Sequence, residues 1–276
     1  MSDATGDNAA QKDYWDGAAG DTWVEAQEQL DAMLEPISAT VLAAAAAQAG
    51  ERVIDIGCGC GATSLAMADA GAQVWGLDLS SAMLARARER AGGRAHFSQG
   101  DAAAQRYTPD HDLVFSRFGV MFFEDPVAAF TQLRTALRPG GRLVFVCWQA
   151  PRNNPWLSVT GAALQPLLPD TPPPDPLAPG PFAFADPERV RGILESAGFA
   201  EVTLTPCEEM LTVGRNVEAA VAFQSRVGPL AAALAELSEA EQDQARSVAA
   251  DALAPYAGAD GVQLGSACWV VQARQN

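Results

Sequence analysis

Three glycines and an aspartate lie close together in the segment Val-Ile-Asp-Ile-Gly-Cys-Gly-Cys-Gly, which occupies residues 53–61. A short apolar run that ends in glycines is typical of a buried parallel strand that turns into a loop. Such glycines let the backbone approach a ligand closely, because no Cβ stands in the way. The carboxylate of Asp55 disfavours a bound phosphate, since like charges repel. The segment therefore predicts a site for a ligand that offers hydroxyls or a positive charge.

Further polar residues follow the next three expected strands. Asp78 lies 23 positions after Asp55, Asp101 follows the third strand, and Ser116 and Arg117 follow the fourth. Open α/β sheets bind ligands beyond the carboxyl ends of their strands, so these side chains are expected at one edge. An acid after the second strand can accept hydrogen bonds from both hydroxyls of a ribose. An acid after the third strand can accept a hydrogen bond from an exocyclic amine. One aspartate is common in any turn, but three at successive strand ends indicate a nucleoside site.

The alternation of apolar runs and helical patterns predicts the elements that position these side chains. Such alternation is typical of βαβ units and a parallel sheet. We expect an α/β fold: a Rossmann-like, seven-stranded, mostly parallel sheet with helices on both faces and an inserted helical and proline-rich cap. Strands are expected at 52–56, 73–77, 95–98, 113–116, 142–147, 202–205 and 267–273, and helices at 63–70, 81–91, 126–137 and 186–197.

Breaks in this alternation divide the chain into four parts. Pro36 is expected to split the first helical region into two helices, and Gly50 is expected to close it. Prolines are too dense between 151 and 181 for a core element. The predicted parts are a helical segment over 1–49 that covers the ligand site, a ligand-binding core over 50–150, a proline-rich excursion over 151–185, and 186–276, which completes the core and carries a helical cap at 215–260.

The composition argues against several classes of function. The chain has 276 residues, 49% of them hydrophobic, and a net charge of −16 from 34 acidic and 18 basic residues. This charge repels nucleic acid and anionic lipid. The five cysteines fit no disulfide framework or zinc spacing, so no metal is expected. With no apolar signal segment and no run long enough to span a bilayer, we expect a cytoplasmic protein with a small-molecule partner; a homo-oligomer is left open.

The motifs together resemble those of class I S-adenosylmethionine-dependent methyltransferases. They are similar to the branch that contains ubiquinone and menaquinone C-methyltransferases and many small-molecule methyltransferases. The glycine turn alone would be weak evidence, but five motifs in order are specific. Besides 53–61 they are Gly-Leu-Asp-Leu-Ser at 76–80, Gly-Asp-Ala-Ala at 100–103, Asp-Leu-Val-Phe-Ser-Arg-Phe at 112–118 and Leu-Arg-Pro-Gly-Gly-Arg-Leu at 137–143.

The resemblance implies S-adenosyl-L-methionine as the cofactor and assigns roles to individual residues. Asp78 would hold the ribose, and Asp101 would read the adenine edge. Tyr14 and Trp23 would either close over the cofactor or only pack the first helix. The implied cofactor-binding set is Tyr14, Trp23, Asp55, Gly57, Cys58, Gly59, Asp78, Leu79, Met83, Asp101, Ala102 and Ser116.

Methyl transfer from a sulfonium is an in-line displacement that can rest on alignment and exclusion of water. The sequence shows no clear general base, and Tyr14 and Arg117 are the candidates for a catalytic role. The predicted acceptor is a small, apolar or aromatic molecule. Its pocket is predicted to include Arg117, Met121, Phe122, Trp148, Trp156 and Phe223.

Two alternatives remain open from the sequence. Gly57, Gly59 and Ala62 also fit the G-x-G-x-x-[G/A] fingerprint of dinucleotide-binding proteins. An NAD-dependent oxidoreductase would place a diphosphate beside Asp55 and would need a proton-transfer residue, for which only His96 and His111 exist. The other alternative is a protein that binds the cofactor without transferring its methyl group.

Overall fold

Residues 8–169 and 175–275 are described by the computed structural model. Eight strands occur among them: β1 (Arg52–Ile56), β2 (Gln73–Asp78), β3 (His96–Gln99), β4 (His111–Arg117), β5 (Leu137–Trp148), β6 (Ala200–Gly214), β7 (Ala257–Gly258) and β8 (Gly261–Arg274). The helices are α1 (Ala9–Trp15), α2 (Ala18–Glu25), α3 (Gln27–Ala45), α4 (Ala62–Asp69), α5 (Ser81–Ala91), α6 (Pro126–Arg134), α7 (Pro155–Leu164), α8 (Pro187–Ser196), α9 (Val217–Gln224), α10 (Pro229–Glu236) and α11 (Glu239–Leu253).

The strands form one sheet in the order β3-β2-β1-β4-β5-β8-β6, with β7 paired to β8. Strands β1 to β5 pair in parallel, and β8 runs antiparallel to its neighbours. The chain moves outward from β1 in both directions, which opens a crevice at the carboxyl ends of β1 and β4. The expected α/β fold is confirmed. The strand beyond the predicted seven is β7, a two-residue strand that forms a hairpin with the start of β8.

The parallel register brings the predicted site residues to one edge of the sheet. Asp55 pairs with Gly76 of β2 and Phe115 of β4, and Asp78 pairs with Gln99 of β3. All residues of β4 but the last are buried, as expected for a central strand with helices on both faces. Helix α3 contacts β4, β5, β6 and β8, and helix α8 contacts β6.

Two strands are much longer than predicted. Strands β6 and β8 pair from Ala200 and Arg274 to Gly214 and Val262, so they form a ribbon that extends past the sheet. The length of β6 could not be read from its sequence, because polar residues beyond 205 interrupt any apolar run. Polar residues on an edge strand protect it from pairing with further strands. The helix predicted to end at 137 ends at Arg134, because Leu137 already pairs with β4.

The N-terminal helices also correct the prediction. Pro36 lies inside the continuous helix α3, where Met33 and Ile37 on either side of it are buried in the core. Their burial offsets the hydrogen bond that a proline cannot donate. The helix ends at Ala45, and Ala46, not Gly50, adopts the left-handed conformation that closes it, with φ 45°. The expected break at Pro36 and closure at Gly50 were therefore wrong.

The proline-rich stretch contains a helix that the sequence analysis did not predict. Helix α7 has Pro155 at its first turn, where proline is tolerated. Together with α10 and α11 it buries a small apolar cluster that is separate from the main core. Residues 170–174 of the predicted excursion lie outside the described residues. No helix within the described ranges is both long and apolar enough to cross a membrane.

Candidate functional site

A cavity of about 820 Å³ opens at the carboxyl ends of β1, β2 and β4 and continues between α1–α3, α7 and α10. Most of the predicted site residues line it. They are Tyr14, Trp23, Gly57, Cys58, Gly59, Asp78, Leu79, Met83, Asp101, Ala102, Arg117, Met121, Phe122, Trp148 and Trp156. The structure therefore brings these predicted residues to one cavity, whereas three predicted residues do not line it.

The glycine turn after β1 is shaped by close backbone contact. Gly57 has φ +65°, a conformation that side chains rarely adopt. A Cβ built on Gly57 would lie 2.8 Å from the Cα of Gly119, and one on Gly119 would lie 2.7 Å from the carbonyl oxygen of Ile56. The turn and the loop after β4 are thus packed back to back, which leaves the backbone of the turn open to the cavity.

Asp78 at the end of β2 is buried and oriented by backbone donors. Its Oδ2 accepts from the N–H of Gly59 at 2.8 Å, and its Oδ1 accepts from the N–H of Ser80 at 2.9 Å. Burial raises the pKa of Asp78, and these hydrogen bonds act in the opposite direction. A carboxylate offers about four lone-pair sites, so each oxygen can accept one further hydrogen bond from a ligand.

Asp101 lies beside the first helix of the chain. Its Oδ1 accepts from the Nδ2 of Asn8 at 3.0 Å and from the N–H of Ala103 at 2.9 Å. The side-chain oxygens of Asn8 and Gln11 are buried and have no hydrogen-bond partner within the described residues. Both residues line the cavity. This end of the cavity therefore gathers hydrogen-bond acceptors that need a donor.

Asp55 does not line the cavity, which corrects the expected contact with a ligand. Its Oδ2 accepts from the hydroxyls of Thr63 at 2.8 Å and Ser64 at 2.6 Å, at the start of α4. Its side chain is fully buried, and burial raises its pKa to about 6. Asp55 fixes the glycine turn to the following helix and contributes to the site by holding that loop in place.

Ser116 and Phe223 are also absent from the cavity lining. Ser116 is buried, donates to the carbonyl oxygen of Ile56 at 2.7 Å and accepts from the N–H of Gly119 at 3.2 Å, so it joins the ends of β1 and β4. Phe223 is 1% exposed and belongs to the main core. The next turn of the chain reaches the cavity instead, through Arg226.

Arg117 lies in the cavity wall as part of a charged cluster with α3. Its guanidinium donates to the Ser38 hydroxyl at 2.7 Å and lies 3.8 Å from Asp31. Asp31 also pairs with Arg90 at 2.8 Å. Burial lowers the pKa of Arg117 below its ordinary value. Asp31 therefore partly neutralises the positive charge of Arg117 inside the site.

Aromatic rings form the opposite end of the cavity. Phe118 and Trp148 are stacked with ring centroids 4.1 Å apart and 7° between planes, and Trp156 follows at 5.0 Å from Trp148. Phe118 has φ 63°, which is uncommon for a bulky side chain. Such strain marks positions that the surrounding structure holds for a reason. Here it turns the Phe118 ring onto Trp148.

The N-terminal helices cover the cavity and are fastened at defined points. Asp16 accepts from the N–H of Ser81 at 2.7 Å and from the Nε2 of Gln99 at 3.1 Å. The hydrogen bonds from Ser81 lower the pKa of Asp16. A Cβ on Gly20 would lie 2.5 Å from the Ser80 hydroxyl oxygen, so α2 touches the loop after β2. Trp15 packs edge-on against Phe122 at 5.2 Å.

The cavity holds no histidine or glutamate among the described residues that line it. His96 and His111 begin β3 and β4, at the ends of the strands remote from the cavity. Tyr14 is 59% exposed at the cavity rim. Within the described ranges there is no cluster of three potential metal-binding residues. The site therefore suits chemistry that depends on positioning, and not on a buried histidine base.

Several lining residues were missed by sequence reasoning. Asn8, Asp31 and Arg226 reach the cavity from helices or loops whose position depends on tertiary contacts. The sequence contained one signal for Asp31. It lies four residues after Gln27 on α3, next to the buried Leu30 and Leu34, and this helical spacing places it beside the buried face of the helix. Arg226 had none.

Comparison with known proteins identifies the class. Residues 53–141 match the family model described as "Methyltransferase domain". This span contains the glycine turn, Asp78 and Asp101. Residues 53–141 thus carry a methyltransferase domain, which confirms the resemblance to class I S-adenosylmethionine-dependent methyltransferases that the motifs indicated.

Curated relatives cover the same part of the chain. An uncharacterised protein of Mycobacterium tuberculosis is 32% identical over 144 residues, 51% of this chain and 50% of the relative. A demethylmenaquinone methyltransferase of Beutenbergia cavernae is 33% identical over 128 residues, 46% of this chain and 53% of the relative. The chain spans about half the length of the curated relatives it matches.

Solved structures share the fold over almost the whole chain. Phosphoethanolamine N-methyltransferase 2 of Haemonchus contortus, in complex with S-adenosyl-L-methionine, has a TM-score of 0.59 and 22% sequence identity. The match covers 96% of this chain and 59% of that one. At this identity the likeness establishes the fold.

Proposed function

We propose that the protein binds S-adenosylmethionine in this cavity and transfers its methyl group to a small, apolar or aromatic acceptor. The observation that carries the proposal is the division of the cavity. One end presents the carboxylates of Asp78 and Asp101, which suit a nucleoside, and the other presents the rings of Phe118, Trp148 and Trp156. One continuous cavity would thus hold a nucleoside and an apolar molecule side by side.

The residues present fit the cofactor. The free lone pairs of Asp78 would accept the two ribose hydroxyls, with Leu79 and Met83 beside the adenine. The orphaned oxygens of Asn8 and Gln11, next to Asp101, would accept from the exocyclic amine. A buried acceptor without a partner destabilises the protein. A hydrogen-bond donor on the ligand would offset the cost of burying these two oxygens.

The bound cofactor would supply an electrophilic methyl group on a positively charged sulfur. The protein's contribution would be alignment and exclusion of water, for which effective molarities correspond to about 7–11 kcal/mol at best. Helices α1 and α2 would exclude water, with Asp16 holding them against α5. Arg117 would steer an anionic group, and Tyr14 stays a catalytic candidate at the rim. Acceptors that need no strong base, such as thiolates and neutral amines, suit this site best.

The first experiment is isothermal titration calorimetry with S-adenosylmethionine, S-adenosylhomocysteine and NAD. We expect the two adenosyl ligands to bind and NAD not to bind. Asp78→Ala should weaken S-adenosylhomocysteine by at least about 100-fold, since two hydrogen bonds to a charged group are each worth roughly 1.5–3 kcal/mol. Asp69→Asn, an exposed carboxylate outside the cavity, is the matched control. Unchanged affinity in Asp78→Ala would refute the assignment.

Transfer of a radiolabelled methyl group to thiols, phenols and quinols would then separate an enzyme from a protein that only binds the cofactor. The second candidate function is favoured by one observation, the absence of a histidine or glutamate from the described cavity lining. Location in the cytoplasm is a further proposal. It is supported by the cysteines, all five of which are free.

A further inference from the structure

The polar groups of the cavity differ in kind between its two ends. At the nucleoside end the groups without a partner are acceptors, the side-chain oxygens of Asn8 and Gln11. At the aromatic end the group without a partner is a donor, the indole N–H of Trp156, and the guanidinium of Arg226, another donor, bonds only to a neutral amide oxygen. Because donors need acceptors, the molecule that fills the aromatic end is expected to carry oxygen.

Trp156 has a buried donor that the protein leaves unused. The side chain lines the cavity and is 8% exposed, and its Nε1 has no hydrogen-bond partner within the described residues. Two other tryptophans show the usual arrangement: Trp75 donates to Ser98 at 2.6 Å, and Trp269 donates to the carbonyl oxygen of Ala185 at 3.0 Å. Buried indole N–H groups normally find a partner, so the Trp156 N–H needs an acceptor that the described residues do not supply.

Arg226 supplies a positive charge to the same end. It lines the cavity just after α9, and its hydrogen bond goes to the neutral side-chain oxygen of Gln29 at 3.3 Å. No carboxylate of the described residues lies within 4.0 Å of it, whereas Arg117 has Asp31 at 3.8 Å. In a chain with a net charge of −16, this exposed guanidinium is a locally positive group beside the cavity.

Arg226 and Trp156 belong to the same wall. A Cβ on Gly228 would lie 3.3 Å from Leu157, so the segment after α9 lies against the start of α7. The Nε2 of Gln224 donates to the carbonyl oxygen of Trp156 at 3.2 Å, which fixes the two elements together. The stacked rings of Phe118 and Trp148 complete this wall with a flat apolar surface.

We infer that the acceptor is an aromatic molecule that carries an anionic oxygen, as a carboxylate or a phenolate does. Its ring lies against Trp148 and Trp156, and its oxygen accepts from the Trp156 N–H and the Arg226 guanidinium. Charge-assisted hydrogen bonds of this kind are the strong ones. The inference rests on the proposed function, because it names the substrate class of the same cavity.

Two fluorescent probes test the inference directly. The anionic probe is 8-anilinonaphthalene-1-sulfonate, and N-phenyl-1-naphthylamine has the same rings without the sulfonate. Both are titrated into the full chain with saturating S-adenosylhomocysteine. We expect the sulfonate to bind at least about tenfold more tightly, as one charge-assisted contact would give, and its affinity to fall with added salt.

The variants separate charge from shape. Arg226→Gln should weaken the sulfonate about tenfold and abolish its salt dependence, and Trp156→Phe should weaken it about fivefold. Neither change should alter binding of the neutral probe by more than about twofold. Arg152→Gln and Trp75→Phe remove an exposed guanidinium and an indole N–H outside the cavity and should leave both probes unchanged.

Equal affinity for the two probes, or equal weakening of both by Arg226→Gln, would overturn the inference. Calorimetry with S-adenosylhomocysteine distinguishes this failure from failure of the proposed function. If that ligand binds and the probes are not discriminated, only the acceptor class is wrong. If it does not bind to the wild-type protein, the proposed function is wrong, and the probes are then titrated alone.

Discussion

Asp55 shows how a single buried carboxylate can support a site without lining its cavity. Its two hydroxyl partners, Thr63 and Ser64, are the second and third residues of α4, directly after the glycine turn. The second carboxylate oxygen has no partner within the described residues. The cost of burying this charge is therefore only partly offset by hydrogen bonds. That imbalance is the reason why burial raises the pKa of Asp55 to about 6.

The raised pKa makes stability depend on pH with a definite sign. The folded protein holds the Asp55 proton more tightly than the unfolded chain, so the stability it contributes is full below about pH 4 and is lost as pH rises through about 6. Asp55→Asn keeps an oxygen for Thr63 and Ser64 but does not titrate. We expect urea unfolding to show the wild type losing roughly 2 kcal/mol relative to Asp55→Asn between pH 4 and pH 7.

The control for this titration is Asp69→Asn, which changes an exposed carboxylate paired with Arg94. Its stability should run parallel to that of the wild type over the same range. A constant difference between wild type and Asp55→Asn across the range would show that Asp55 does not titrate as proposed.

Site residues that directly follow β2 and β3 could be placed from the sequence by strand register, whereas several residues on helices and loops could not. Asp78 and Asp101 follow apolar runs directly, and parallel register brings such positions to one edge whatever the details of packing. Asn8 and Arg226 reach the cavity only because distant helices fold over it. Asp55 was placed at the right strand end, but the hydroxyls that hold its side chain away from the cavity gave no signal in the turn motif.

At the scale of elements, the packing of the N-terminal helices depends on Gly20. A Cβ on Gly20 would lie 2.3 Å from the carbonyl oxygen of Trp15 and 2.5 Å from the Ser80 hydroxyl oxygen. The first of these is backbone, so it cannot move without shifting the helix. Helices α1 and α2 can therefore lie over the end of β2 only with glycine at this position.

We expect Gly20→Ala to displace α1 and α2 and to weaken S-adenosylhomocysteine about tenfold, with an overpacking cost of roughly 1–3 kcal/mol. Hydrogen exchange should increase in residues 9–25 and stay unchanged in β4 and β5. The measurements are calorimetry and exchange by mass spectrometry on the same preparations.

Gly192→Ala is the matched control, since Gly192 lies in α8 with no atom within 4 Å of the added Cβ. That change should stabilise the helix by about 0.5–1 kcal/mol and leave ligand affinity unchanged. Wild-type affinity and exchange in Gly20→Ala would show that these helices do not cover the ligand.

Elements in the interior were predicted closely, and those at the margins were not. Strand β1 occupies the predicted residues 52–56 and helix α5 the predicted 81–91. Strand β6 runs to Gly214, well beyond the predicted 205, because its pairing partner is the distant β8. Helix α3 continues through Pro36 because burial of its apolar face outweighs a local breaker. Both errors arise where long-range contacts override local preference.

At the scale of the whole molecule, the described residues contain separate apolar clusters. The main core lies around the sheet, and a smaller cluster joins α7, α10 and α11 through Leu164, Leu230 and Leu234. Val221 of α9 is partly buried against both. Helices α7, α10 and α11, here called the cap, are therefore expected to open without unfolding of the sheet, as locally cooperative units do.

Leu230→Ala tests whether cap and core are separable. Leu230 is fully buried in the smaller cluster, and its truncation should cost about 2–5 kcal/mol within the cap. We expect faster hydrogen exchange in α7, α10 and α11 with unchanged protection of β1 and β4. S-adenosylhomocysteine affinity should stay within about twofold, since a twofold change is only about 0.4 kcal/mol, and binding of the aromatic probes should fall.

Leu113→Ala, an equal truncation in the main core, should instead lower protection throughout the sheet and weaken both kinds of ligand. If Leu230→Ala also unprotects β1, the two clusters unfold as one unit and the cap cannot open independently over the acceptor.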